Sequence, residues 1–129
     1  MNEAVIALGS NINPKENVNA ALDAIDKAFS LIKKSQFIFT KPLGYENQPD
    51  FLNGAVLIQT VMEKAGITDE LKRIETKLGR KRKGHKNGPR TIDLDLVLFN
   101  ERVLDDDVFE RDFLKQSIQE LLPGVKLGV

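Results

Sequence analysis

Residues Gly88–Phe99 read GPRTIDLDLVLF. From Ile92 onward the alternation predicts a strand. Ile92, Leu94, Leu96 and Leu98 fall on one face as the apolar stripe of a core, and Asp93, Asp95, Val97 and Phe99 fall on the other. That second face is polar where the strand begins and apolar where it ends. Two residues of strand rise set the Cβ atoms of Asp93 and Asp95 roughly 6–7 Å apart. Like charges that close, on a half-buried surface, need a counter-charge. Taken alone, DLD reads as two solvated aspartates on the wet face of an antiparallel sheet. The residues before it change that reading. Gly79–Arg90 holds six Lys or Arg (Arg80, Lys81, Arg82, Lys83, Lys86, Arg90) and no acid. Arginine forks suit phosphate oxygens, and Mg²⁺ is held by one or two carboxylates plus phosphate oxygens. A basic, glycine-bearing loop feeding a carboxylate pair therefore carries the parts of nucleotide phosphoryl transfer.

The rest of the chain supplies the partners of this strand. Ala4–Leu8 is a short buried strand, and GSNIN turns the chain. Asn13 is placed to N-cap a helix, with Pro14 at its first position and Glu16 at a capping-box-like spacing. Val18, Leu22, Ile25, Phe29 and Ile32 recur at helical spacing, which predicts an amphipathic helix over Pro14–Lys33. QFIFT is a strand, KPLGYENQPD a loop and FLNGAVLIQTV a longer strand. Thr68 is placed to cap a second helix, with Leu71, Ile74 and Leu78 as its apolar stripe and Gly79 at its end. After the strand that begins at Ile92, Asn100 and Glu101 turn the chain into a short strand, RVL. Asp105–Asp107 then cap a last helix carrying Phe109, Phe113, Leu114, Ile118 and Leu121, stopped by Pro123 and Gly124. Strand, helix, strand, strand, helix, strand is the split βαβ order of a ferredoxin-like α+β sandwich with a mainly antiparallel sheet. No linker or repeat interrupts it, so residues 1–129 form a single domain.

Composition excludes several classes. Hydrophobic residues are 41% and charged residues 29%, as in globular domains. The absence of cysteine removes disulfide frameworks and thiolate zinc sites. The opening MNEAVIALGSN has no basic leader, and its apolar run is too short to span a bilayer, which predicts a cytoplasmic protein without a membrane segment. Net charge is zero at pH 7 and no strand carries an RNP-like aromatic pattern, so an RNA-binding ferredoxin-like module, and nucleic acid as a partner, are set aside. His85, the only histidine, lies in the basic loop and reads as exposed, not as a ligand.

GPRTIDLDLVLF resembles the signature of the hydroxymethyl-dihydropterin pyrophosphokinase family. AVIALGSNI is similar to that family's opening strand and turn, TKPLGYENQPDFLNGAV to its pterin-site loop and strand, and RIETKLGRKRK to the helix and arginine loop before the signature. The four stretches occur in the family's order between Ala4 and Phe99. The resemblance implies transfer of diphosphate from ATP to 6-hydroxymethyl-7,8-dihydropterin, with release of AMP, in folate biosynthesis. Asp93 and Asp95 would bind two Mg²⁺ ions bridging the ATP phosphates. Arg80 and Arg82, on a loop that closes, and Arg90 would contact those phosphates and act in catalysis. Thr40, Leu43 and Asn53 would line the pterin pocket, Phe51 would stack on the ring, and Glu75 would lie near the nucleotide.

The resemblance is incomplete after the signature. The family has a Pro-His-aromatic stretch whose histidine, with a nearby basic residue, contacts ATP; here Phe99–Phe109 is shorter and has no histidine. Six acids fall within Glu101–Asp112. RDFLKQSIQELLP matches the family's Arg-x-Phe segment loosely, which would make Arg111 a cation on the nucleotide or pterin side and Phe113 a second stacking ring. Helical periodicity gives the other reading, with both inside a helix and Phe113 in the core. Asn87 stands where some members have a tryptophan. A relative that binds pterin or nucleotide without transferring is the alternative to the transferase. The family's further C-terminal segment has no counterpart up to Val129, which leaves both a monomer and a homodimer open.

Overall fold

The computed structural model describes residues 1–42, 44, 47–80 and 91–127. Leu43, Arg82, His85, Asn87 and Arg90 lie outside the described residues. Strand β1 (Asn2–Ser10) is the spine of the sheet, because both of its edges are paired. On one side it meets the ten-residue β4 (Phe51–Thr60), and on the other β5 (Asp93–Phe99), antiparallel in both cases. With β2 (Ser30–Lys34) and the two-residue β6 (Arg102–Val103), the sheet order is β2-β4-β1-β5-β6. Strand β3 (Ile38–Thr40) pairs with the first residues of β4. The α+β, split βαβ expectation therefore holds, with a sheet that is antiparallel among the described residues.

Helices α1 (Pro14–Ala28) and α2 (Lys64–Lys77) cover one face, and α4 (Asp112–Leu121) covers the other. Strand alternation makes this possible. Ala4, Ile6 and Leu8 of β1 join Val18 and Ile25 of α1 and Ile67, Leu71 and Ile74 of α2 in one core. Val5, pointing the other way, joins Leu57, Val97, Leu114 and Ile118 in a second core beneath α4.

Five local expectations are corrected. The first helix ends at Ala28, not Lys33: Phe29 is already extended, and Ser30–Lys34 is strand β2. Tertiary pairing overrides the apolar period, because the outer edge of β4 needs hydrogen-bond partners. Strand β2 supplies them opposite Val56–Gln59 and β3 opposite Phe51–Asn53. Between them Ser35 bridges with both its backbone N–H, donating to the Ala55 carbonyl at 2.9 Å, and its hydroxyl, accepting the Ala55 N–H at 2.9 Å. The strand expected over QFIFT is thus shortened to Ile38–Thr40. Phe37 instead lays its ring on Gly54, where a Cβ would lie 2.5 Å from the ring.

Asn13 holds the N-cap position of α1 but in the left-handed region (φ 42°), and it makes no side-chain cap hydrogen bond. Thr68 does not cap α2, which begins a turn earlier at Lys64, because fully buried Ile67 extends the apolar stripe backward. The single C-terminal helix is two: the four-residue α3 (Asp107–Glu110), and α4. Between them Arg111 is extended, at φ −115° and ψ 110°.

Strand β5 also departs from simple alternation. Leu96 pairs with Ile6, but Leu98 pairs with Val5, so Val97 is an extra residue, a β-bulge. Asp93 and Asp95 keep the expected common face. Beyond the bulge the faces exchange: Leu98 joins Val97 in the core under α4, and Phe99 packs against the opposite core.

Candidate active site

The GSN turn shapes the floor of the site, each residue for a different reason. In the sheet, Gly9 lies between Asn53 of β4 and Asp93 of β5. A Cβ on Gly9 would stand 2.7 Å from Asn53 Oδ1, so only glycine leaves room for that amide. The fully buried Ser10 hydroxyl donates to the Thr91 carbonyl at 2.5 Å and fixes the approach to β5. Asn11 Nδ2 donates to Gln48 Oε1 at 2.7 Å and to the Pro49 carbonyl at 3.0 Å, tying down the chain that leads into β4. Asn53, 7% exposed, donates from Nδ2 to Thr40 Oγ1 on β3.

Asp93 and Asp95 project from the first half of β5, which β6 leaves uncovered because it pairs only with Leu98 and Phe99. Arg80 follows the C-terminus of α2, where Gly79 takes a positive φ of 91° and turns the chain. Its guanidinium donates from Nη1 to Asp93 Oδ1 at 2.7 Å and to Glu75 Oε2. Burial opposes its charge, but the carboxylates of Asp93 and Glu75 outweigh that and raise its pKa. The Glu75 carboxylate, 3% exposed, also accepts the Leu94 N–H at 2.8 Å. Glu75 is therefore a buried helix residue and not a solvated one. It links α2, Arg80 and β5.

Asp95 carries the largest displacement of charge equilibrium in the site. Burial, then the charges of Asp93, Asp105 and Glu75, raise its pKa from 3.8 to about 7. The residue retains exposed surface toward the cleft, so the neighbouring carboxylates keep the shift upward even where water reaches the group.

Two cavities meet at this pair. One, of about 480 Å³, has Lys64, Thr68 and Lys72 on its α2 wall, with Arg80, Asp95 and Asp105 facing them. The other, about 40 Å³, is bounded by Asn53, Asp93, Asp95, Asp105, Arg111 and Phe113 among others. Arg111 lies over the Phe113 ring, its Cζ 4.6 Å from the centroid, a cation–π contact. Phe113 lies in the first turn of α4, half-buried and packed against the core under that helix, and it also borders the smaller cavity.

Of the residues singled out from sequence, Arg80, Glu75, Asp93, Asp95, Asn53, Arg111 and Phe113 come together around the two cavities. Thr40 touches the site through Asn53, and Phe51 stands beside Gly9, its Cδ1 4.0 Å from where a Cβ would be. Sequence reasoning passed over Lys64, Thr68 and Lys72. Their four-residue spacing, a polar stripe beside the apolar one on α2, was the available signal. It also read Asp105 only as part of a helix cap and an acidic run, although that residue borders both cavities.

The model of the 7,8-dihydro-6-hydroxymethylpterin-pyrophosphokinase family matches residues 5–123, from the first core strand to the end of α4. The chain belongs to this family. It has the family's activity, an ATP-dependent pyrophosphokinase step in folate biosynthesis, with ATP and the hydroxymethyl-dihydropterin as substrates. A 2-amino-4-hydroxy-6-hydroxymethyldihydropteridine pyrophosphokinase of Haemophilus influenzae is 41% identical over 135 residues, covering 96% of this chain and 84% of the relative. One of the same name from Bacillus subtilis is 35% identical over 136 residues, covering 97% and 81%. A folate synthesis bifunctional protein of Arabidopsis thaliana is 33% identical over 130 residues, which cover 93% of this chain and 27% of that longer protein. Among the described residues, no helix of this family member is long and apolar enough to cross a membrane.

Proposed function

We propose that Asp93 and Asp95 form the centre of the transfer reaction, with the pterin on the Asn53–Phe113 side and the nucleotide on the α2 side, in a cytoplasmic enzyme. The observation that carries this reading is that the two aspartates border both cavities at once. A group passing from one substrate to the other must cross such a junction.

Mg²⁺ fits this donor set. Among the described residues no group of three or more metal-binding side chains surrounds one point, but Mg²⁺ needs only one or two carboxylates when phosphate oxygens complete its shell. The crowding that raises the Asp95 pKa is an excess of negative charge that a divalent cation relieves. Asp93 and Asp95 would hold two such ions, which when bound would neutralise the phosphates and the developing charge of the leaving group.

The chain's own residues then have separable tasks. Asn53, held by Thr40, presents its carbonyl side to the pterin edge, and Phe113 offers a ring for stacking, with Phe51 as its counterpart. Arg80 brings a permanent charge to the phosphates, and Arg111 a second one. Arg82, Arg90 and Leu43 keep the phosphate and pterin roles that the family resemblance gives them. The hydroxymethyl oxygen forms a bond to the β-phosphorus, the bond from that phosphorus to the bridging oxygen of AMP breaks, and the hydroxyl proton leaves to water. Catalysis is positioning and charge stabilisation. The Arg80–Asp93 ion pair, a permanent cation beside the carboxylates assigned to the metals, supports a transferring enzyme over a relative that only binds.

The smaller cavity, about 40 Å³, is well below the roughly 300 Å³ of a small ligand pocket, so pterin binding requires its walls to open. The test is to mix the protein with Mg-ATP and hydroxymethyl-dihydropterin and follow AMP release, alongside Asp93→Asn and Asp95→Asn. Loss of most turnover in both variants, with folding intact, is the expected result. Wild-type turnover in both at saturating Mg²⁺ overturns the assignment.

A further inference from the structure

We propose that Ser10 is a positioning residue for the transfer reaction: its buried hydroxyl sets the place of Asp93 through the backbone of β5. The inference rests on the reading above in which Asp93 holds Mg²⁺. Strand β1 pairs with β5 as far as Gly9 and Asp93, where the ladder ends and the chain enters the GSN turn. One residue on, Ser10 is fully buried. Its hydroxyl reaches across and donates to the Thr91 carbonyl at 2.5 Å, with the Ile12 carbonyl 3.1 Å away. A side chain thus makes the rung that the backbone no longer supplies, two residues before the carboxylate.

On the other side of Asp93, the Leu94 N–H donates to the Glu75 carboxylate at 2.8 Å. The backbone around Asp93 is therefore held by two buried side chains from different elements, Ser10 of β1 and Glu75 of α2. Farther along, the Val97 bulge separates this end of β5 from the register of Leu98 and Phe99. The aim of Asp93 is thus fixed locally, by its pairing with Gly9 and by these two clamps. The clamps work against a load, because the charges of Asp93 and Asp95 repel each other. At the frayed end of a ladder, Asp93 would swing away from Asp95, and the pair would lose the spacing at which metal and phosphate are shared. Groups that hold a metal ligand in place change metal affinity about ten- to hundredfold when they are removed. Ser10 acts one step farther back, on the backbone of the ligand, which places it at the lower end of that range.

The test compares Ser10→Ala, Ser10→Cys and Asp93→Asn in the full chain. Mg²⁺ affinity is read by calorimetry without nucleotide, pterin affinity by fluorescence, and AMP release as a function of Mg²⁺. In Ser10→Ala, Mg²⁺ should bind about tenfold more weakly, and the half-saturating Mg²⁺ for AMP release should rise with it. Pterin affinity should be unchanged, because Asn53 is on β4 and is held by Thr40. Ser10→Cys, near in size but a weaker donor, should fall between the alanine variant and the unaltered chain, and it carries the same test if the alanine variant does not fold. Added to Asp93→Asn, Ser10→Ala should cause no further loss of Mg²⁺ affinity, since the group it positions is gone. A hydroxyl that only braces the turn would lower the urea midpoint and leave Mg²⁺ affinity as it was. That result, or additive losses in the double variant, overturns the inference and leaves the metal assignment standing. Unaltered Mg²⁺ binding in Asp93→Asn overturns both.

Discussion

The Glu75 carboxylate accepts the Leu94 backbone N–H at 2.8 Å, tying the last turn of α2 to the strand between the two aspartates. The same oxygen accepts from Arg80. Glu75→Ala should therefore leave a buried amide without a partner and release Arg80. A hydrogen bond to a charged group is worth about 1.5–3 kcal/mol, and urea unfolding should show a loss of that size. Glu75→Gln keeps an acceptor for Leu94 and should recover part of it. Equal loss in both variants would mean that the amide contact contributes little.

Removing Arg80 should move metal binding and turnover in opposite directions. Arg80 already neutralises part of the Asp93 charge at 2.7 Å. In Arg80→Ala, Asp93 and Asp95 repel each other with less relief, so Mg²⁺ in the absence of nucleotide should bind more tightly. Turnover with both substrates should fall, because a charge that acts on the transition state is gone. Calorimetric Mg²⁺ titration and single-turnover AMP release, run on the same preparation, separate the two effects. Weaker Mg²⁺ binding in the variant would contradict the argument.

Metal-free stability should decline as pH rises between 3.8 and about 7, the ordinary and raised values for Asp95. Below that window the carboxyl is protonated in both folded and unfolded chains, and the raised pKa has no consequence. Within it the unfolded chain loses its proton first, so the folded state binds more protons and stability falls with each increment of pH. Above about 7 the folded group is also ionised and the decrement is constant. Saturating Mg²⁺ should reverse the decline on the alkaline side. Asp95→Asn should remove this pH dependence. Thermal melts across the window, with and without Mg²⁺, give the measurement, and an unchanged slope in the variant would assign the effect to another group.

Gly9→Ala should resemble Asn53→Ala in pterin binding. The added Cβ would stand 2.7 Å from Asn53 Oδ1, which forces the amide from its place beside Thr40. A weakening of about tenfold or more, ~1.4 kcal/mol, is expected for the pterin in both variants, with ATP affinity little altered. Fluorescence titration with the pterin alone is sufficient. Normal pterin affinity in Gly9→Ala would show that the amide has another accommodating position.

ATP affinity should be low for a member of this family and steeply dependent on Mg²⁺. The stretch Phe99–Phe109 has no histidine, and Asp105 stands by the cavity on the α2 side. Asp105→Asn should strengthen binding of a non-hydrolysable ATP analogue most when Mg²⁺ is scarce. Tight, Mg²⁺-independent binding by the unaltered chain would point to compensating cations, with Lys64 and Lys72 on α2 the first to examine.

What could be read from the sequence were features with local causes. The alternation of β5 placed Asp93 and Asp95 together, Gly79 ended α2, and Arg80 followed it into the site. What could not be read depended on partners distant in the chain. The apolar spacing from Val18 to Ile32 suits a helix throughout, and only the unpaired edge of β4 makes a strand of Ser30–Lys34. The Val97 bulge arises from register against β1, and no residue type announces it. The break at Arg111 likewise answers to the site wall and not to a proline or glycine. It leaves Phe113 both packed against the core under α4 and bordering the smaller cavity, so neither of its two readings is displaced.

The bulge at Val97 has a mechanical consequence. It acts as a phase boundary within one strand: residues before it are indexed to Gly9 and Ala7, residues after it to Val5 and Ala4. A length change in the hairpin beyond Phe99 is absorbed at that boundary and does not rotate the aspartates off their face. A change in the length of the hairpin after Phe99 can therefore leave the aim of the carboxylate pair intact. Deleting Val97 itself would couple the two halves, and any slip in the hairpin would then reach the site.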